Sequence, residues 1–375
     1  MTGIPAELAG GRMTVDLSAL VANWMHLRKL CDGRCGAVVK ANAYGCDINT
    51  VVPALADAGC DTFFVALPEE GVRARKSAPT ATIYVLNGLF AEAAPFLIAN
   101  DLIPVLGSTH EVTWWQAAAR DHGSALPCAL QVDSGMNRPG LSLRELERTI
   151  KTVLPNGLLD VRLFMTHFAC ADDIGHPKTD LQREVFDQAA LLLPGVPKSA
   201  ANSAAILQAS GLTYDLARPG IALYGGEALN DTPNPMQPVV TLEGRIITIR
   251  DVKAGDSVGY GAAETVTRNT RLAYISMGYA DGYHRAASQS GVPMRHVAPA
   301  ARAAFDGQLI KGVGRVSMDL MAFDVTDLGD RVRPGDWLEL FGNTIPVDDV
   351  ARAAGTIGYE MLTALGSRHE RRIVG

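Results

Sequence analysis

In GAVVKANAYG, residues 36 to 45, a short apolar run ends on Lys40 and turns at once into Ala-Asn-Ala-Tyr-Gly. An amine at the end of an apolar strand is partly desolvated, which favours its neutral form, the form that condenses with a carbonyl to give a Schiff base. The plain alternative is a lysine whose stem packs on apolar neighbours while its ammonium stays in water. Other apolar runs also close on polar residues: Asp133 and Arg138 in QVDSGMNRPG, His167 in MTHFA, Asn202 and Ser203 in SAANSAA, and Arg218 with Gly220 in RPGIALYG. Ser203 and an approachable glycine are what a phosphate needs when hydroxyls and backbone N–H groups hold it. Taken singly, the same stretches read equally well as ordinary βα turns.

These residues can converge only if the runs that carry them lie side by side. Eight such runs recur over the first 230 residues: GAVVK, TFFVA, TIYVLNG, LIPVLGS, CALQVD, VRLFMTHF, KSAANS and LARPGIALYG. Between them lie helical patterns such as DINTVVPALADAG and SLRELERTIKTVL, with apolar residues on one face. Strands alternating with helices imply parallel pairing, and near-continuous apolar strands imply a sheet covered on both faces. Eight units predict an α/β (β/α)8 TIM-type barrel, in which residues at the carboxyl ends of the strands share one mouth. A doubly wound open sheet is the alternative, but no GxGxxG follows the first strand.

Near residue 235 the texture changes. NDTPNPMQP is a polar, proline-rich break, and VVTLEGRIITIRDV, RLAYISMGYADG, KGVGRVSMDLMAFDVTD and DWLELFG follow as strands between Gly and Asp turns. The expected division is a barrel over 14–233 and a mostly β C-terminal domain over 234–375, with residues 1–13 expected to pair with the second. VDDVARAAGTIGYEMLTALG reads as helix, broken or capped at Gly355.

At 375 residues, 47% hydrophobic, the chain can bury a sizeable core. A net charge of −6 without a basic stripe argues against nucleic acid as a partner. No segment has the apolar length to span a membrane, so a cytoplasmic enzyme is expected. Six scattered cysteines without a CxxC pair are read as reduced thiols, and no metal is expected.

Aldolases and pyridoxal phosphate enzymes both use a lysine of this kind. VVKANAYG, VDSGMNRPG, THFACAD, ANSAA, RPGIALYG, VGYGA, GYADGY and VGRVSMD, in that order along the chain, resemble the alanine racemases, two-domain enzymes of fold-type III that bind pyridoxal 5'-phosphate. The resemblance implies that Lys40 carries the cofactor as a Schiff base and that Tyr44, Ser203, Gly220, Ile221 and Tyr359 hold its phosphate. It places Arg218 at the ring nitrogen. It makes Lys40 and Tyr260 two bases on opposite faces of the substrate, with His167 assisting Tyr260. Arg138 and the backbone of Met318 would meet the substrate carboxylate, Asp319 would fix that loop, and Tyr279 and Arg315 would line a narrow entry corridor. Tyr260 would reach the site of the other subunit, so a homodimer acting on a small amino acid is implied.

Two positions depart from the family pattern. Gln131 stands where many members carry a carbamylated lysine, and is expected to accept a hydrogen bond from Arg138, with a small anion supplying the missing charge. Cys46 stands where histidine is common. A serine or broader-specificity racemase of the same fold is the nearest alternative. A cofactor-homeostasis protein would have the barrel and the lysine but no second β domain.

Overall fold

The computed structural model describes residues 4–208, 211–290 and 302–375. Seven short strands pair in parallel in chain order: Ala37–Val38, Thr62–Val65, Thr82–Val85, Ile103–Leu106, Leu126–Gln131, Leu159–Met165 and Lys198–Ser199. An eighth, Leu216–Ala217, pairs with Arg34–Cys35 just ahead of the first. Backbone hydrogen bonds close the ring on both sides of it. Gly36 N–H donates to Ala217 O and Val38 N–H to Pro219 O, both at 2.9 Å, while Asp215 N–H reaches Lys198 O at 3.1 Å and Arg218 N–H reaches Ala201 O at 2.9 Å. The parallel eight-stranded barrel expected from the alternating runs is formed.

Three strands end sooner than their apolar runs. Lys40 opens a helical turn instead of closing a strand. Asn202 caps the helix Ser203–Leu207, its Oδ1 accepting from Ala205 N–H at 3.0 Å, because a side chain that can bond its own backbone favours a cap over an extended run. The eighth strand stops at Ala217, two residues before Pro219, which has no N–H to continue a ladder. The helices on the barrel's outside start where their caps sit: Asp47 before Ile48–Asp57, and a Ser142–Glu145 capping box before Leu143–Thr152.

The remaining strands form a mainly antiparallel sheet. Val240–Val252 pairs with Trp337–Phe341 along its first half and with Thr270–Ile275 along its second, shifting register between Ile246 and Thr248. Through Met321–Asp324, Gln308–Val313 and Arg302–Phe305 that sheet returns to Trp337–Phe341. Gly11–Asp16 joins it antiparallel to Val240–Val252 and parallel to His369–Val374. The C-terminal helical stretch is two helices, Val347–Ala354 and Gly358–Thr363, parted by Gly355 at φ +69°. The second helix packs beside the Lys40–Tyr44 turn. Gly45 makes that approach possible, since its φ is +84° and a Cβ there would press on the Leu362 carbonyl. Among the described residues no helix is long and apolar enough to cross a membrane.

Candidate active site

Lys40 leads a turn of left-handed helix: Ala41, Asn42, Ala43 and Tyr44 have φ between 51° and 56°. For L-residues this conformation costs about 1–2 kcal/mol each, so the surroundings must impose it. The Glu70 carboxylate does so from the first turn of the helix Pro68–Ser77, accepting from Asn42 N–H at 3.3 Å as well as from Ala66 and Leu67 N–H at 2.9 and 3.2 Å. Asn42 Oδ1 accepts from Ile48 N–H at 3.1 Å and from Arg73 at 2.6 Å, and Arg73 also pairs with Asp47 at 2.9 Å. The turn therefore throws Lys40 to the barrel mouth and Tyr44 into the core, where it stacks on Tyr224 at 4.5 Å. Burial lowers the Lys40 pKa, the Arg138 charge lowers it further, and Glu70 opposes both.

Arg218 is buried across the mouth, 4% exposed. Its Nη2 donates to Thr166 O at 2.7 Å and faces His167 Nδ1 at 3.3 Å, while Nη1 donates to Ser199 Oγ. Burial, then Arg138, lower its pKa to about 9, which leaves it charged at neutral pH. His167 sits under three cations. Burial lowers its pKa to about 3, with Arg218, Arg138 and Lys40 adding to the effect, so its ring is neutral.

Ser203 Oγ accepts from Gly220 N–H at 2.8 Å and Ala222 N–H at 3.3 Å, tying the turn after strand seven to that after strand eight. A Cβ at position 220 would collide with the Tyr44 hydroxyl. Glycine there keeps phenol, serine hydroxyl and backbone N–H groups within one small cradle. Tyr359, from the C-terminal helix, brings a second phenol, its ring 6.1 Å from that of Tyr44, and burial pushes its pKa up to about 12.

Lys40, Tyr44, Arg138, His167, Ser203 and Arg218 line one cavity of about 770 Å³, together with Gly220, Ile221 and Tyr359. The other expected residues are elsewhere. Tyr260 is 71% exposed on the β region, and Arg315 packs against Gly261 beside it. Tyr279 N–H donates to Ser317 O and Ala280 N–H to Met318 O, each at 3.0 Å, so the Tyr279 turn and the Met318 loop form one surface with exposed side chains. Asp319 receives Arg368 at 2.8 Å. Gln131 lines the cavity, but no hydrogen bond joins it to Arg138: its amide donates instead to the carbonyl of Pro139, the next residue along the Arg138 loop.

Sequence reasoning missed the residues that hold these groups. Glu70, Asn42 and Arg73 carried no signal beyond their polarity. Neither did the buried set of Ser134, Thr166, Gln182 and Ser199 around Arg218 and His167.

A parallel barrel whose mouth holds a lysine of lowered pKa, a hydroxyl-rich cradle and two arginines, followed by a β domain, defines a two-domain barrel enzyme with a cationic, hydroxyl-lined mouth. Residues 15–228 match the alanine racemase N-terminal domain and residues 239–373 the alanine racemase C-terminal domain. Alanine racemase of Rhizobium meliloti (strain 1021) is 44% identical over 98% of this chain and 97% of its own. The biosynthetic alanine racemase of Agrobacterium fabrum is 45% identical over 98% and 94%. The crystal structure of alanine racemase from Bartonella henselae with covalently bound pyridoxal phosphate superposes with a TM-score of 0.90 at 36% identity, covering 98% of this chain and all of that one. The chain belongs to the alanine racemase family.

Proposed function

We propose that this enzyme interconverts L- and D-alanine with pyridoxal 5'-phosphate bound in the barrel mouth, as a cytoplasmic homodimer supplying D-alanine for peptidoglycan. The observation that carries the reading is the convergence of Lys40, the Ser203–Gly220 cradle and Arg218 on one cavity. The residues fit the cofactor. The cradle that a Cβ at 220 would fill offers a phosphate the hydroxyl of Ser203, the Tyr44 and Tyr359 phenols and the backbone N–H of Ile221, with the Gly220 N–H, held by Ser203 Oγ in this structure, beside them. When bound, the cofactor supplies an electron sink that acidifies the α-hydrogen of an amino acid joined to it.

The chain's own groups do the rest. Lys40, with its neutral amine favoured, is both the point of covalent attachment and a base that takes or returns the α-proton on the D-face. Arg218 commits both Nη2 donors to Thr166 and His167 and one Nη1 donor to Ser199, which leaves Nε–H and the second Nη1–H as donors toward a ring nitrogen. A guanidinium has no proton to surrender at neutral pH, so a ring nitrogen held against Arg218 would receive a hydrogen bond and no proton. Arg138 binds the substrate carboxylate as a two-pronged donor, with the backbone N–H of Met318 of the partner subunit as its second contact.

The opposite face needs its own base, and Tyr260 is exposed on the β region, outside the lining of its own cavity. Tyr260 of the partner subunit would complete the site, assisted by the neutral His167, with Met318 and Asp319 on the same surface and Tyr279 and Arg315 forming the corridor by which small amino acids enter. Residues 14–233 thus carry the cofactor and 234–375 the second base, with Tyr359 crossing back to the phosphate. Purified protein loaded with pyridoxal phosphate should convert L-alanine to D-alanine and the reverse, read by circular dichroism or coupled D-amino-acid oxidation. No turnover of either enantiomer would sink the reading.

A further inference from the structure

Gln182 is wholly buried, in the middle of the helix Pro177–Ala190 on the barrel's outer layer. A glutamine at such a position ordinarily faces water, and burying one without partners is costly. Here every polar atom is used. Its Oε1 accepts from Ala169 N–H at 2.8 Å, and its Nε2 donates to His167 O at 2.9 Å and to Ser134 Oγ at 3.2 Å. Ser134 and Thr166 share a hydrogen bond of 2.8 Å, Thr166 Oγ1 donates to Val132 O at 3.0 Å, and Thr166 O receives Arg218.

One side chain therefore clasps two βα loops. The first runs from Asp133, whose carboxylate gathers the N–H groups of Gly135, Met136 and Asn137, to Arg138. The second carries His167 and Ala169. Arg138 and His167 do not hydrogen-bond each other, so their relative placement depends on what ties the loops together. The Ser134–Thr166 bond is one tie, and Gln182, which holds Ser134, His167 O and Ala169 N–H at once, is the other; it acts from outside the cavity, since it is absent from the lining.

We propose that Gln182 is a positioning residue, which fixes the loop bearing Arg138 against the segment bearing His167 and so sets where the substrate carboxylate lies relative to the reacting carbon. The inference rests on the racemase reading. Sub-ångström errors in such placement are enough to cost on the order of 10- to 100-fold in rate.

The test compares cofactor-loaded wild type with Gln182→Met, which keeps the length and loses every hydrogen bond, and with Phe186→Leu, a core truncation one turn along the same helix that serves as a stability-matched control. Gln182→Met is expected to lose on the order of 10- to 100-fold in kcat/KM, with KM for L-alanine rising as kcat falls. Phe186→Leu, at a comparable Tm, should keep both. Hydrogen–deuterium exchange should rise in residues 133–141 and 166–171 together in Gln182→Met, a readout that needs no activity. Equal losses in the two variants, or unchanged exchange in both segments, would overturn the proposal.

Should the methionine variant not fold, Gln182→Glu decides. A neutral carboxyl can both donate and accept, whereas a carboxylate can only accept and would face the His167 carbonyl. The titratable side chains on the elements meeting there are Asp133 and Arg138 on the first loop, His167 on the second, Lys178, Asp180, Arg183, Glu184 and Asp187 on the helix, and Arg218; none of these side chains hydrogen-bonds Gln182, which reaches His167 only at its backbone carbonyl. The variant's kcat/KM relative to wild type should therefore fall as pH rises, and a flat ratio would refute the role. An inactive wild type would instead fault the racemase reading, leaving the exchange data to judge Gln182.

Discussion

Arg218 Nη2 and His167 Nδ1 face each other at 3.3 Å, and a guanidinium can only donate, so Nδ1 is the acceptor and the neutral ring carries its proton on Nε2. That assignment leaves Nε2–H as a donor toward whatever enters the mouth.

A consequence for stability follows from the His167 pKa of about 3 in the folded protein. An unfolded histidine titrates near 6.5, so between about 6.5 and 3 the unfolded chain binds the extra proton and the folded chain does not. Stability contributed by the neutral ring is complete above that window and is lost as pH falls through it. For this single group the loss should be on the order of 3–5 kcal/mol across the window. Urea unfolding of the cofactor-free protein from pH 7.5 to 4 should show that slope, and His167→Gln should remove most of it; parallel curves would refute the assignment.

Lys40 should react as an amine below the pH at which unperturbed lysines do, since partial burial and the Arg138 charge both favour its neutral form. Borohydride reduction of the cofactor-loaded protein at pH 7 to 8 should leave the pyridoxyl mass on the peptide containing residue 40 and nowhere else. Replacing Arg138 by Ala takes away the second cause, so the pH dependence of cofactor attachment should move upward. A downward move, or labelling at another lysine, would contradict this account of the site.

The left-handed turn makes opposite predictions for two kinds of substitution. Ala41 has φ 51° and an exposed side chain, so Ala41→Gly should stabilise by about 0.5–1 kcal/mol, the strain relieved exceeding the added chain entropy. Ala41→Val should destabilise. Glu70→Ala strands the N–H groups of Asn42, Ala66 and Leu67 and should cost roughly 2–4 kcal/mol, with loss of cofactor affinity, since Lys40 and Tyr44 are the two ends of the turn it braces. Denaturant midpoints and cofactor titrations measure both.

The contrast between Lys40 and that turn marks where sequence reading reaches and where it stops. Lys40, Ser203, Gly220 and Arg218 were visible because each closes an apolar run, and a barrel puts such positions on one face. The turn itself was invisible. Ala41, Asn42 and Ala43 carry no glycine to advertise positive φ, and the conformation is imposed by Glu70 and Arg73, some thirty residues away. Gln182 was hidden for a related reason: a glutamine among Thr179 and Phe186 reads as a helix residue like any other until two loops are folded around it. Strand ends were overrun where Asn202 and Pro219 overrode apolar composition with local hydrogen bonding or the lack of it. Tyr260 and Tyr359 came only through the family resemblance, since neither spacing nor polarity distinguishes a tyrosine that reaches a site from one that packs.

The separation of Tyr260 from the cavity that Lys40 lines gives the sharpest test of shared sites. If each site takes Lys40 from one chain and Tyr260 from another, Lys40→Ala and Tyr260→Phe homodimers should both be nearly inactive, and equally so in the two directions, since enantiomers equilibrate at a ratio of one. A hybrid of the two pairs an intact Lys40 site with an intact Tyr260 in one of its two mouths, while the other mouth lacks both. Random reassortment makes half the dimers hybrids, so the mixture should regain about a quarter of wild-type activity. If both groups came from the same chain, every site in the mixture would still lack one of them and no activity would return. Denaturing and refolding the two variants together, then assaying D-alanine formation against each refolded alone, separates these outcomes without needing the dimer's affinity.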